Sequence, residues 1–449
     1  MFFGGAAEAE SISARLLESR RTGCKRLFHI SNASCGKGVF MNEQNRQKPK
    51  IQPLNPSARQ PEAEPSPKPR RKLPRFLVRL AATLVVLAVA VGLVGAVAFR
   101  DRLNVDSVKR WFHYRSLIRS DSGRAESFPY GGELTDTFAV LDGDLLVCSR
   151  NAISLYSGSG AQYINQSAGM ENPVVNTNGS LAVVYDAGGS ELYVLGQRSL
   201  VWAAEGLESI LSARLNKNGQ LTVVTQASGY RGTVTVYDAS YSPVMRIDLS
   251  SAFVMDAALS DDGHTLGIFT VGQADGAFTT SLELYDMTYA SGEYKPDFTC
   301  RLGGGVVLET RHTAEAVWSL ADRGLTVTGH DGRSSGVSWA DKHLRRYTLS
   351  GDGFAAALLG KFRAGSQSEL WVVDSQGQRR ILELSEQVMS ISAAGRYLAV
   401  LTGDRLDIYT DQLELYDTLE GTQGARTVLL MPDGSAILIS ADSAGFYIP

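Results

Sequence analysis

Four cysteines serve 449 residues, and two of them, Cys24 and Cys35, fall near the N-terminus. Cys148 and Cys300 are left for the bulk of the chain, with no CxxC pair or His/Cys cluster beside them. That excludes a zinc site or dithiol motif, and rules out a disulfide framework, so stability has to come from a large core. Histidine is scarce too. His264, His312, His330 and His343 are dispersed without HxH spacing. His312 and His330, with Glu309, Glu315 and Asp331, form the one local gathering of titratable groups, and solvated loop residues are the simpler reading of it. The vicinal cysteines and periodic tryptophans of quinone enzymes are missing, as is any kinase, helix-turn-helix or nucleotide-binding signature. No catalytic, cofactor-binding or metal residue is expected, and the chain reads as a non-enzyme.

Charge of one sign is missing from each part in turn. Residues 1–124 carry 23 Lys/Arg against 9 Asp/Glu, and residues 125–449 carry 21 against 38, so a net −3 conceals +14 and −17. Phosphate binding relies on clustered cations, so the acidic part is not expected to bind nucleic acid.

What is present begins with LAATLVVLAVAVGLVGAVAF, Leu80 to Phe99, twenty residues without a charge. At about 1.5 Å per residue this crosses a core of roughly 30 Å. Its Leu, Val and Phe residues contribute roughly −3 to −6 kcal/mol of insertion free energy. Lys68, Arg70, Arg71, Lys72, Arg75 and Arg79 precede it, while Arg100, Arg102, Lys109 and Arg110 follow, offset by Asp101 and Asp106. The positive-inside bias keeps the N-terminus in the cytoplasm and exports the C-terminal part as a single-pass membrane protein. A cleaved signal peptide, with Ala96-Val97-Ala98 as its cleavage site, is the rival, but the apolar run is long for one.

Residues 41–79 are basic and rich in Pro, Gln and Asn, a composition that cannot bury a core, and are expected to be a disordered cytoplasmic tail. Residues 1–40 read as a start-site error: Lys37-Gly38-Val39-Phe40 before Met41 is compatible with codons containing AGGAG, a ribosome-binding sequence. The gene's codons test this. Residues 100–124 form a juxtamembrane amphipathic segment. Val105, Val108, Phe112 and Ile118 share one helical side, with Trp111 and Tyr114 beside it, and Lys109, Arg110, Arg115 and Arg119 spread over the rest. Such a helix lies on the membrane surface or packs on the base of the domain that follows.

That domain, 125–449, is repetitive. LDGDLLVCS, VNTNGSLAVV, LNKNGQLTVV, LSDDGHTLGIF, LSGDGFAAAL, ISAAGRYLAV and MPDGSAILIS share a short strand, a polar turn ending in glycine, and an apolar strand. The glycines are Gly143, Gly179, Gly219, Gly263, Gly353, Gly395 and Gly434, spaced by 36, 40, 44, 90, 42 and 39 residues. The 90 is two periods, with an unmarked turn at Thr313–Glu315. Alternating strands such as SELYVLG, SLELYDMT and RLDIYTDQ follow, giving strand–turn–strand–strand–strand over about 40 residues, the size of a propeller blade. Asp261-Asp262 occupies the place of Lys217-Asn218 and Ala393-Ala394, which no shared metal site would tolerate; it is a hairpin turn.

The expected fold is therefore all-β, a propeller of eight four-stranded blades (seven is the alternative). The units begin near Phe138, Val174, Leu211, Val254, Val306, Leu344, Val388 and Thr427. The last stops after three strands, and AESFPYGG (125–132) is expected to supply the fourth and close the ring. Insertions at VGQADGAFTTS and Met287–Lys295 are expected to project from one face. Tyr230, Phe278, Tyr289, Trp318 and Trp339 lie in irregular segments able to line a funnel.

SVKRWFHYRSLIRSDSGRAESFPYGG, followed by TFAVLDGDLLVCSRNAISLYSGSGAQY, resembles a family of Gram-positive gut bacteria whose domain has no known function. The resemblance covers roughly 65–449, with KRWFHYRSL its most specific part. It implies a basic tail, one membrane segment and an exported propeller, and supplies no catalytic residues. At turn level the repeats also resemble quinoprotein-like and TolB-like propellers.

Taken together, these features predict a membrane-tethered, extracytoplasmic interaction scaffold with an envelope or membrane protein as partner and the bilayer engaged through Leu80 to Phe99. The alternative is a sensor that binds a small molecule, glycan or cationic peptide. No cofactor is expected.

Overall fold

The second strands of the repeat are largely apolar, and several are buried from end to end. DLLVC (Asp144–Cys148), LTVVT (Leu221–Thr225) and YLAVL (Tyr397–Leu401) are buried throughout. Side chains alternate across a strand, so a run of this kind has to be covered on both faces of its sheet. The computed structural model does this with a ring of blades. It describes residues 106, 109, 110, 114, 115, 117 and 120–449, apart from 133–135, 275–276, 289–294, 303–305 and 340. Residues 1–40, the 41–79 tail and the expected span Leu80 to Phe99 lie outside the described residues. Among the described residues no helix is long and apolar enough to cross a membrane.

Among the described residues, thirty-two strands form eight four-stranded antiparallel sheets. Blades 1 to 7 span 137–167, 173–204, 210–249, 253–301, 307–338, 343–384 and 390–420, each with its strands in chain order from the axis outward. Blade 8 takes three strands from 427–447 and its outer strand from Phe128–Pro129, with Phe128 opposite Ala444 and Pro129 opposite Ser443. The two ends of the propeller domain thus close the ring as the 125–132 segment predicts, and the described residues form eight blades rather than seven.

Eight apolar clusters fill the eight blade-to-blade interfaces. Leu145 and Val147 face blade 8, while Leu146 and Cys148 face blade 2. The same alternation puts Val183 against blade 3 and Val184 against blade 1. A one-residue slip of any second strand would exchange both sets at once, so register is fixed on both sides.

Turns between first and second strands, and between third and fourth, emerge at one end of the ring, here the turn face. Second-to-third turns and the links between blades emerge at the other, the far face. All seven repeat glycines have positive φ, from +54° at Gly395 to +100° at Gly179. The two insertions therefore leave opposite faces, not one as expected. VGQADGAFTTS falls at the hairpin of Thr265–Ala274 and Ala277–Asp286 on the far face, whereas Met287–Lys295, of which 289–294 lie outside the described residues, falls between the third and fourth strands, at the turn face.

Candidate functional site

The inner strands bound a channel of about 1000 Å³. Its wall is polar where short side chains bridge neighbouring inner strands. Asn176 Oδ1 accepts from the Leu215 amide at 3.2 Å, Thr177 Oγ1 donates to the Val140 carbonyl at 3.4 Å, and Ser392 Oγ accepts from the Leu430 amide at 3.0 Å.

Three blades meet at one charged group. Arg214 of blade 3 donates to Asp256 of blade 4 from Nε (3.3 Å) and Nη2 (3.0 Å), and Thr310 Oγ1 of blade 5 donates to the same carboxylate at 2.6 Å. Burial pushes the Asp256 carboxyl up, but the Arg214 charge and these hydrogen bonds outweigh it and hold the group below the usual carboxylate range. Glu309 also faces the channel, and burial raises its carboxyl. His312 lies beside them, half-buried, edge-on to Phe269 at 5.8 Å, with both ring nitrogens shut off from solvent and without a hydrogen-bond partner. Burial drives its pKa down to about 4, so the ring is neutral.

The gathering read from the sequence is thus divided. Glu309 and His312 line the channel; Glu315 sits in the first turn of blade 5; His330 and Asp331 sit in its third, where Asp331 accepts from the Arg333 amide. The aromatic set is divided as well. Trp318 and Trp339 are core residues between blades 5 and 6, Trp339 being 2% exposed and edge-on to Trp371, so they line no funnel. Tyr230 and Phe278 are exposed, and Tyr289 lies outside the described residues. The Asp261-Asp262-Gly263 stretch is a hairpin turn. Asp262 accepts from Ser260 Oγ and the His264 amide, and Asp261 pairs with Lys217 at 2.9 Å. Among the described residues no three His, Cys, Asp or Glu side chains are grouped as metal ligands.

On the turn face, loops are tied blade to blade. The Asp142 amide donates to the Gly179 carbonyl, Asn178 Nδ2 to that of Asn216, Asn216 Nδ2 to that of Ser260, and the Asp352 amide to that of Gly395. Against blades 7 and 8 sit three described residues that precede the propeller. Asp106, Arg110 and Tyr114 are helical and four residues apart, hence on one face. Arg110, read from the sequence as lying off the apolar side of the helix, is 5% exposed. It donates to the Asp433 carbonyl and the Tyr416 hydroxyl, both at 2.7 Å, which supplies what burial of a guanidinium requires. The Tyr114 hydroxyl meets Ser435 Oγ at 3.0 Å, and Tyr397 donates to Asp106 at 3.1 Å. Of the two placements open for the juxtamembrane segment, these residues pack on the base of the propeller.

A family model described as "Family of unknown function (DUF5711)" matches residues 129–309, blades 1 to 4. No curated protein matches. Among solved structures, the chain is similar to BamB from Moraxella catarrhalis, with 16% identity and a TM-score of 0.44 over 72% of this chain and 99% of that one. It is also similar to the C-terminal WD40 domain of Sif2, with 13% identity and a TM-score of 0.48 over 74% and 98%. A third is the Cps50 (Swd1) β-propeller domain from Myceliophteria thermophila, with 12% identity and a TM-score of 0.43 over 64% and 99%.

Proposed function

We propose that this chain is a membrane-tethered propeller, anchored by a span at Leu80 to Phe99 with its N-terminus in the cytoplasm. In this reading it serves outside the membrane as a protein-interaction scaffold of the cell envelope, without catalysis. The observation that carries it is the seating of Asp106, Arg110 and Tyr114 on the turn face. Seven Cα-to-Cα steps separate Phe99 from Asp106, a reach of at most about 25 Å even when extended. A span ending at Phe99 therefore turns that face toward the bilayer and offers the far face to partners. The charge bias across the apolar run supports the orientation.

The test is membrane fractionation with protease protection of a C-terminal tag in intact cells, together with cross-linking and mass spectrometry. A carbonate-resistant chain whose tag is digested from outside, cross-linked to one dominant membrane or envelope protein, is expected. A tag protected in intact cells refutes the topology, and an exported, folded propeller without a protein partner refutes the scaffold. A second reading, a small-ligand sensor, is favoured by the channel of about 1000 Å³ with Arg214, Glu309 and His312 in its wall. It predicts thermal stabilisation by a small molecule that is lost in Glu309→Leu.

A further inference from the structure

The eight inner strands are not equivalent. In blades 3, 4, 5 and 6 the pairing of the first two strands shifts once, between Ile210 and Ser212, Val254 and Asp256, Val307 and Glu309, and Leu344 and Arg346. In blades 1, 2, 7 and 8 the same pairing runs without a shift. Each shift leaves one residue outside the ladder: Leu211, Met255, Leu308 and Arg345. A bulge re-aims the side chain it carries. Here it does so four times in succession, near the far-face end of half the ring.

Two of the four, Met255 and Leu308, are exposed in this sector, whereas Leu211 packs on the core between blades 3 and 4. Met255 is 52% and Leu308 47% exposed, and Phe278, on the far-face hairpin of blade 4, is 80% exposed. Tyr230, Phe253 and Val306 are exposed beside them. Single exposed apolar residues are ordinary, but a gathering on one sector of a face marks a place where something binds.

Cations frame this sector. Arg231 lies over the Phe253 ring at 4.8 Å. Arg345 donates to the carbonyls of Gly365 (2.7 Å) and Phe362 (2.8 Å), pinning the loop that displays Lys361, Phe362 and Arg363. Lys361 stands over the Phe362 ring at 5.8 Å. Among the described residues the acids of the loops within and between these blades are Asp322, 3.8 Å from Arg323, and Asp341; Glu205, Glu208 and Glu386 lie in the links that bound the sector, and Asp275 of the blade 4 hairpin lies outside the described residues. The loops of the opposite sector carry Asp136, Glu171, Glu191, Asp404 and Asp442 against Arg150 and Arg426. Within a domain of balance −17, a basic rim around apolar groups is a local inversion of charge.

We propose that the far-face sector of blades 3 to 6 is a docking surface for an acidic segment of a partner protein bearing bulky apolar side chains. The apolar anchors seat between Met255, Leu308 and Phe278, and the carboxylates meet Arg231, Lys361 and Arg363. Apolar contact supplies the affinity and the cations the choice of partner. This inference rests on the scaffold reading and names its face and the chemistry of its partner.

The test is photo-cross-linking of the full chain in its native membrane, with p-benzoylphenylalanine placed at Met255, Leu308 or Phe278. Lys217 and Arg333 serve as turn-face controls. Cross-links from the first three positions to one net-acidic segment containing Phe, Leu or Trp are expected. A synthetic peptide of that segment should then bind the purified full chain, and Leu308→Asp or Lys361→Glu/Arg363→Glu should weaken its Kd at least tenfold without moving the melting temperature. Cross-links to a protein from the control positions alone overturn this inference and leave the scaffold reading standing. A basic captured segment, or cross-links to lipid or nucleic acid, overturns the inference as well. No cross-link to protein from any position overturns both.

Discussion

Arg214 and Asp256 join blades 3 and 4 through a two-pronged ion pair, with 3.0 Å between Nη2 and Oδ2, and Thr310 holds the same carboxylate from blade 5. Removing one partner strands a buried charge. Arg214→Met is expected to cost about 3–5 kcal/mol, whereas the double change Arg214→Met/Asp256→Leu should recover much of it. Urea denaturation measures both, and a double variant no more stable than the single one would show that the pair is not the joint.

His312 makes stability depend on pH in a definite direction. Its pKa falls from an ordinary 6.5 to about 4 because burial disfavours the charged ring. Between those values the unfolded chain binds a proton that the folded chain does not. Stability from this residue is therefore full above pH 6.5 and declines toward pH 4, by at most about 3 kcal/mol. Asp256, depressed, adds loss at acid pH, and Glu309, raised, opposes it; both persist in His312→Phe. The difference between wild-type and His312→Phe melting temperatures should change from pH 7 to pH 4.5, and parallel curves would refute the argument.

Gly395 shows what the repeat glycine does beyond making a turn. A Cβ there would stand 2.9 Å from the Pro432 carbonyl oxygen of the next blade, whereas one at Gly353 would meet nothing within 4 Å. Both have positive φ. Gly353→Ala is expected to cost about 1–2 kcal/mol from the backbone alone. Gly395→Ala should cost roughly 1 kcal/mol more, because the neighbouring backbone has to move. Chemical denaturation of the two variants ranks them.

Phe128 holds the closing strand. It is buried against Tyr156, with ring centroids 6.0 Å apart, and lies over Gly160. Phe128→Ala is expected to cost about 3–5 kcal/mol. Release of the strand would bare the Ser443–Tyr447 edge, which light scattering should register as concentration-dependent association. A variant that is destabilised yet strictly monomeric would mean the edge stays covered.

The repeat was legible because its signals are local. Each inner strand begins within two residues of the unit start read from sequence, from Thr137 beside Phe138 to Ser390 beside Val388, since a polar turn and a run of buried apolar residues sit side by side in the chain. Closure by 125–132 was legible from a missing strand. The Arg214–Asp256–Thr310 joint was not, because its members are 42 and 54 residues apart and only ring geometry brings them together. Trp318 and Trp339 misled because a short irregular segment looks solvent-facing until the neighbouring blade covers it. The burial of Arg110 was not legible either, because its acceptors, Asp433 and Tyr416, come from the far end of the chain. The four bulges leave no mark on composition: Leu211, Met255 and Leu308 look like ordinary inner-strand residues.

The closing blade, built from both ends of the domain, also sets a schedule for synthesis. Phe128–Pro129 is made first among the strands, yet its partner Ser443–Tyr447 is made last, more than three hundred residues later. Blades 1 to 7 can form as they emerge, but until then the newborn ring is an open crescent with an unpaired edge at each tip. A chain cut short by even one strand stays in that state. Such a product is recognisable to quality control by its sticky ends rather than by any fault in its core.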